Sequence, residues 1–96
     1  MDRLILLRHG KAEADSPSGD DFDRRLTPRG VTESAAMGAS LADLGFRPDV
    51  ALVSSAARAC GTWEALSDAF PAAEARFDRS LYLADAASLR EAGAAV

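Results

Sequence analysis

The sequence predicts a three-layer α/β/α fold with a mainly parallel sheet, and three observations carry that expectation. A continuous apolar run from Leu4 to Leu7 is followed closely by Gly10, as suits a strand covered on both faces. Two longer stretches then carry apolar residues at helical spacing. Short apolar runs follow each of them, so strand and helix alternate along the chain.

Residues 3–8 read as the first strand. Residues 11–25 read as a polar loop containing Pro17, Gly19, the acidic residues Asp20, Asp21 and Asp23, and the pair Arg24 and Arg25. A long irregular loop directly after a buried strand is a frequent carrier of function. Thr27 is a good N-cap with Pro28 at the first helical position, and the helix should end near Leu44, before Gly45. Val31, Ala35, Met37, Leu41, Ala42 and Leu44 supply its apolar positions, with Met37 expected in the core. Phe46 to Asp49 connects to a second strand, Val50 to Val53. Ser54 and Ser55 are candidate caps for a second helix running to about Phe70, in which Ala59, Trp63, Leu66 and Phe70 share a face. Trp63 reads as a core anchor and Cys60 as a small packed residue. Pro71 ends this helix, Ala75 to Phe77 forms a third strand, and Leu81 to Leu83 is extended or turn-like. Asp85 caps a last helix to about Ala94. There is no repeat and no linker, so residues 1–96 are expected to form one domain.

Composition narrows the function. The 96 residues are 48% hydrophobic and 27% charged, which excludes a disordered or membrane-like chain. A net charge of -4 argues against a basic nucleic-acid binder while permitting a local cationic pocket. One Cys and one His exclude a disulfide scaffold and any cluster of several Cys or His around a metal. The core should be thin: 21 residues are Ala, against 20 Leu, Ile, Val and Phe together, and Ala buries little area. That thinness fits part of a longer fold. No apolar run approaches the roughly 20 residues that span a bilayer. No targeting pattern is visible either, so a cytoplasmic protein without a membrane partner is expected.

The chemistry gathers at one edge of the sheet. Arg8, His9 and Gly10 sit where the first strand ends, the usual binding edge of an open α/β sheet. An imidazole there can serve as nucleophile or base, and an arginine fork suits a phosphoryl group. After the second strand, Arg58 falls in the first turn of a helix at the same edge. A cation is mildly unfavourable at a helix N-terminus, so its placement points to an anionic partner.

Three segments then resemble one family. They are Leu6-Leu7-Arg8-His9-Gly10-Lys11-Ala12, Asp23-Arg24-Arg25-Leu26-Thr27-Pro28-Arg29-Gly30, and Val53-Ser54-Ser55-Ala56-Ala57-Arg58-Ala59-Cys60-Gly61-Thr62. In this order and at these intervals they resemble the N-terminal part of a histidine phosphatase of the phosphoglycerate-mutase-like superfamily, closest to the SixA-type phosphohistidine phosphatases. The resemblance implies that His9 is the nucleophile and passes through a phosphohistidine. It implies that Arg8, Arg24 and Arg58 bind the phosphoryl oxygens, with Arg8 and Arg58 also stabilising the transition state. Thr62 would support the helix carrying Arg58. The family chemistry needs no metal or other cofactor. The implied substrate is a phosphorylated protein, such as a phosphohistidine carrier, or a small phosphate ester.

One departure stands out. The family carries a second catalytic histidine on a later strand, and this sequence has none. The expectation is therefore a C-terminally truncated, partial domain with little or no phosphatase activity alone. Within the superfamily the alternative is a broader phosphomonoesterase, and outside catalysis a phosphate-binding module or an inactive fragment. No leaving-group acid can be chosen from Glu64, Asp68, Glu74 and Asp78.

Overall fold

The computed structural model describes residues 9–82. The expected strand over 3–8 and the helix expected from Asp85 lie outside the described residues, as does Arg8.

Helix α1 runs Pro28–Asp43. Thr27 caps it as its sequence predicts: the residue is extended, with φ -70 and ψ 160, and its hydroxyl oxygen accepts from the Gly30 N–H at 3.0 Å. Pro28 occupies the first turn, where no amide hydrogen is needed. At the other end Gly45 takes φ 89, a left-handed turn that glycine enters without strain.

The buried face of α1 corrects the sequence reading. Gly30, Ser34 and Gly38 are the buried residues of this helix. Met37 is 49% exposed, Val31 45% and Leu44 73%. The reason is the distance of approach. A Cβ added at Gly38 would lie 3.1 Å from Leu66 Cδ2 and 3.2 Å from Leu66 Cα, so α1 rests against the backbone of the second helix. The ridge with the least side chain packs there, and the larger apolar residues lie off the seam.

Strand β1, Val50–Ser54, and strand β2, Glu74–Asp78, pair in parallel, from Val50 opposite Glu74 to Ser54 opposite Asp78. Helix α2, Ala57–Ser67, forms the crossover between them. Alternating helices and parallel strands give the three-layer α/β/α class that the sequence predicts. Two 3-10 turns, Asp21–Asp23 and Arg79–Leu81, complete the described elements.

Two details of α2 differ from expectation. Its N-cap is Ala56 and it has no side-chain cap, while the Ser54 hydroxyl takes the Ala56 N–H at 3.2 Å, one step earlier. The helix also stops at Ser67 rather than Phe70, because Ala69 and Phe70 bond back three residues, to Leu66 and Ser67, and tighten the chain. Phe70 is nevertheless buried, with Leu26, Val53, Ala56 and Leu66, while Trp63 is half-buried. Among the described residues, no helix is long and apolar enough to cross a membrane.

Candidate active site

The segment carrying His9 is wedged between the two helices. The Gly10 N–H donates to Thr62 Oγ1 at 3.0 Å, and the Thr62 hydroxyl donates to the Arg58 carbonyl, one turn back on α2, at 2.8 Å. One buried threonine thus ties the histidine segment to the turn bearing Arg58. A Cβ at Gly10 would stand 2.8 Å from Ser34 Oγ and 2.9 Å from the Gly30 carbonyl oxygen. A Cβ at Gly30 would stand 2.3 Å from the Lys11 carbonyl oxygen. Glycine at 10 and 30 is therefore a condition for the His9 segment to lie on α1. The segment is also joined to the one following Arg24. Ala12 and Leu26 form an antiparallel bridge, flanked by Glu13 N–H to Arg25 O at 2.7 Å and Thr27 N–H to Lys11 O at 2.8 Å.

Two hydrogen bonds favour one tautomer of the His9 ring. Nδ1 lies 2.7 Å from the Gly10 carbonyl oxygen, which can only accept, so Nδ1 carries the hydrogen. On the other side Arg58 Nε, which can only donate, lies 3.2 Å from Nε2. The lone pair is therefore on Nε2 and faces a guanidinium. An imidazole in this state is a nucleophile with its electron pair directed at a cation.

Arg58 is 6% exposed, and a buried charge requires compensation. Asp21 supplies it. Arg58 Nη1 donates to the Asp21 carbonyl oxygen at 2.8 Å and Nη2 to the Asp21 carboxylate Oδ2 at 3.0 Å. Arg24 Nε lies 3.3 Å from Asp21 Oδ1, an ion pair at i,i+3 whose N–H makes no hydrogen bond. The Tyr82 hydroxyl closes the cluster with a short hydrogen bond to Asp21 Oδ2. That bond is the main cause holding the Asp21 carboxyl below its ordinary value, with Arg58 and Arg24 adding to it. The same bond pushes the Tyr82 phenol up. Phe22 meets Tyr82 edge to face at 5.1 Å, and the Arg58 guanidinium lies 5.5 Å from the Tyr82 ring centre.

The structure thus brings His9 and Arg58 into contact and links Arg24 to them through Asp21. Arg8 lies outside the described residues. Asp21 and Tyr82 are members that sequence reasoning did not single out. Asp21 carried one usable signal, its position three residues before Arg24 in a short turn. Tyr82 lies 61 residues from Asp21 and carried none. Glu74 bonds to Arg76, and Asp78 accepts from the Ser80 N–H. The Cys60 thiol points to the Ser54 carbonyl at 3.5 Å, and burial raises its pKa, as for a packed rather than reactive thiol. Among the described residues, no group of three or more His, Cys, Asp or Glu could hold a metal ion.

The family model of the histidine phosphatase superfamily (branch 1) matches residues 4–82. An uncharacterised chloroplastic protein of Arabidopsis thaliana is 36% identical over 83 residues, 83% of this chain and 38% of its own length. A 2,3-bisphosphoglycerate-dependent phosphoglycerate mutase of Zymomonas mobilis is 37% identical over 71 residues, 72% of this chain and 31% of its own. Among solved structures, a protein described as a phosphohistidine phosphatase SixA from Agrobacterium tumefaciens superposes with a TM-score of 0.84 at 35% identity, over 93% of this chain and 58% of the other. Its counterpart from Nakamurella gives 0.82 at 33%, over 95% and 49%. A protein histidine phosphatase SixA complexed with tungstate gives 0.64 at 33%, over 73% and 46%. The chain therefore spans 31% to 38% of the length of these two curated relatives, and 46% to 58% of the solved ones.

Proposed function

We propose that this chain, which belongs to the histidine phosphatase superfamily (branch 1), carries the phosphoryl-accepting half of a phosphatase site, with His9 Nε2 as the accepting atom. The observation that supports this most is the pair of hydrogen bonds at His9: the Gly10 carbonyl holds the hydrogen on Nδ1 and leaves the Nε2 lone pair beside Arg58. In the proposed step the Nε2 lone pair gives up its hydrogen bond from the Arg58 Nε–H and attacks phosphorus. The bond from phosphorus to the leaving atom breaks, and the leaving group departs with that electron pair and takes up a proton. Water then attacks the phosphohistidine, inorganic phosphate is released, and the lone pair returns to Nε2. Arg58 donates to the phosphoryl oxygens as charge builds on them, with Arg24 and Arg8 as further phosphate contacts.

The substrate class at this level is a phosphate monoester or phosphoramidate. A phosphohistidine on a partner protein is the finer proposal, supported by the likeness to SixA structures described as phosphohistidine phosphatases. The single histidine of the chain favours a second reading, a phosphate-binding module without turnover.

Incubation with phosphoramidate, followed by mass spectrometry at neutral pH and after acid treatment, separates the two. An acid-labile phosphoryl group on the wild-type chain, absent from His9→Asn, is the expected result. Saturable phosphate binding with no covalent adduct would replace the enzyme reading with the binding module.

A further inference from the structure

The cationic side of the site is already occupied by an anion of the chain's own. Asp21 receives two bonds from Arg58, one to its carbonyl and one to Oδ2, and its Oδ1 lies 3.3 Å from Arg24 Nε. These are two of the three arginines assigned above to a phosphoryl group. Carboxylate and phosphate seek the same N–H donors, and two anions placed side by side repel.

We infer that the Asp21 carboxylate is an internal competitor for the phosphoryl position, held against Arg58 by the Tyr82 hydroxyl and displaced when a phosphoryl group enters. The inference rests on the phosphoryl-site reading of the preceding subsection. It goes beyond it by assigning a role to two residues outside the three segments that carry the family resemblance.

The burial of the partners indicates which one moves. The Arg58 side chain is 7% exposed and the Asp21 side chain 49%. The Arg58 carbonyl is also held by the buried Thr62 hydroxyl, one turn along α2. Asp21 belongs to a three-residue turn with no buried residue. A half-exposed carboxylate can return to water at small cost, whereas the buried guanidinium cannot. The cation is the fixed part of the site and the anion the exchangeable part. What retains Asp21 is the Tyr82 hydroxyl. Tyr82 is in turn placed by the edge-to-face contact with Phe22, and Arg79 lies 4.2 Å from the Phe22 ring centre.

The rival role is positioning. Asp21 could aim Arg58 at His9, and its removal would then weaken phosphate binding. Calorimetric titration with inorganic phosphate distinguishes the two. It would use the wild-type chain, Asp21→Asn, Tyr82→Phe and Asp23→Asn, with Asp21→Ser as a second removal of the carboxylate and circular dichroism to verify each fold. Asp23 controls for net charge, since it lies in the same turn but bonds to Ser18.

Competition predicts that both Asp21 variants bind phosphate roughly tenfold tighter, that Tyr82→Phe gains less in the same direction, and that Asp23→Asn stays near wild type. Unchanged or weaker binding by the Asp21 variants overturns the inference and leaves the phosphoryl site standing, and so does an equal gain in Asp23→Asn. Absence of phosphate binding in every variant overturns the phosphoryl-site reading, and this inference with it.

Discussion

The seam between α1 and α2 and the cluster around Arg58 are specified in opposite ways. The seam is defined by missing atoms: Gly38 meets Leu66 of α2, and Gly30 meets Lys11 of the His9 segment wedged between the helices, each so closely that an added Cβ is crowded. The cluster is defined by charges and directed donors, drawn from segments far apart in sequence. A close-packed seam has one arrangement and fails when atoms are added. A charged cluster can exchange one anion for another without moving its buried cation. The seam thus provides the rigid platform, and the exchangeable contacts lie above it.

This contrast can be broken at several points. The largest effect belongs to His9: His9→Asn is expected to abolish covalent phosphoryl uptake while leaving the melting temperature nearly unchanged, because its ring bonds are at the cluster and not in the seam. Arg58→Lys should follow, lowering phosphoryl transfer by roughly 100-fold, since a point charge cannot reproduce three directed N–H donors. Rates of adduct formation check it, and equal rates would remove the fork from the account. In the seam, Gly30→Ala should destabilise by about 3 kcal/mol, because the Lys11 carbonyl oxygen 2.3 Å from the new Cβ is backbone and cannot swing aside. Thr27→Ala should cost about 1 kcal/mol through loss of the α1 cap. Denaturant titration measures both, and the reverse order would contradict the packing argument.

The smallest effect is a pH dependence. The Asp21 carboxyl is held below its ordinary value of 3.8, chiefly by Tyr82. Its contribution to stability is therefore fully present above that value and is lost as pH falls through the lower folded value. Acid unfolding of Tyr82→Phe should shift upward in pH relative to wild type. Coincident acid transitions would mean that the Tyr82 bond contributes nothing.

Much of the fold could be read locally. Thr27 and Pro28 mark the start of α1 and Gly45 its end because caps and left-handed turns are properties of a few adjacent residues. The faces were less legible. Helical spacing on α1 pointed to Val31 and Met37, but the partner surface favoured the glycines, and only tertiary structure shows how closely two helices approach. The site divided the same way. His9, Arg24 and Arg58 lie in segments whose order and spacing resemble a known family. Asp21 and Tyr82 meet only after the loop and the segment following β2 have been folded together, so no local pattern announces them.

The proposed mechanism turns on His9 Nε2 holding the ring's lone pair and taking the phosphoryl group. The chain has a single histidine, so its imidazole nitrogens can be followed without ambiguity by long-range proton–nitrogen NMR. The free chain should carry hydrogen on Nδ1 and, after treatment with phosphoramidate, show a phosphorus–nitrogen coupling to Nε2. Hydrogen residing on Nε2 in the free chain, or coupling to Nδ1 in the treated one, would contradict it.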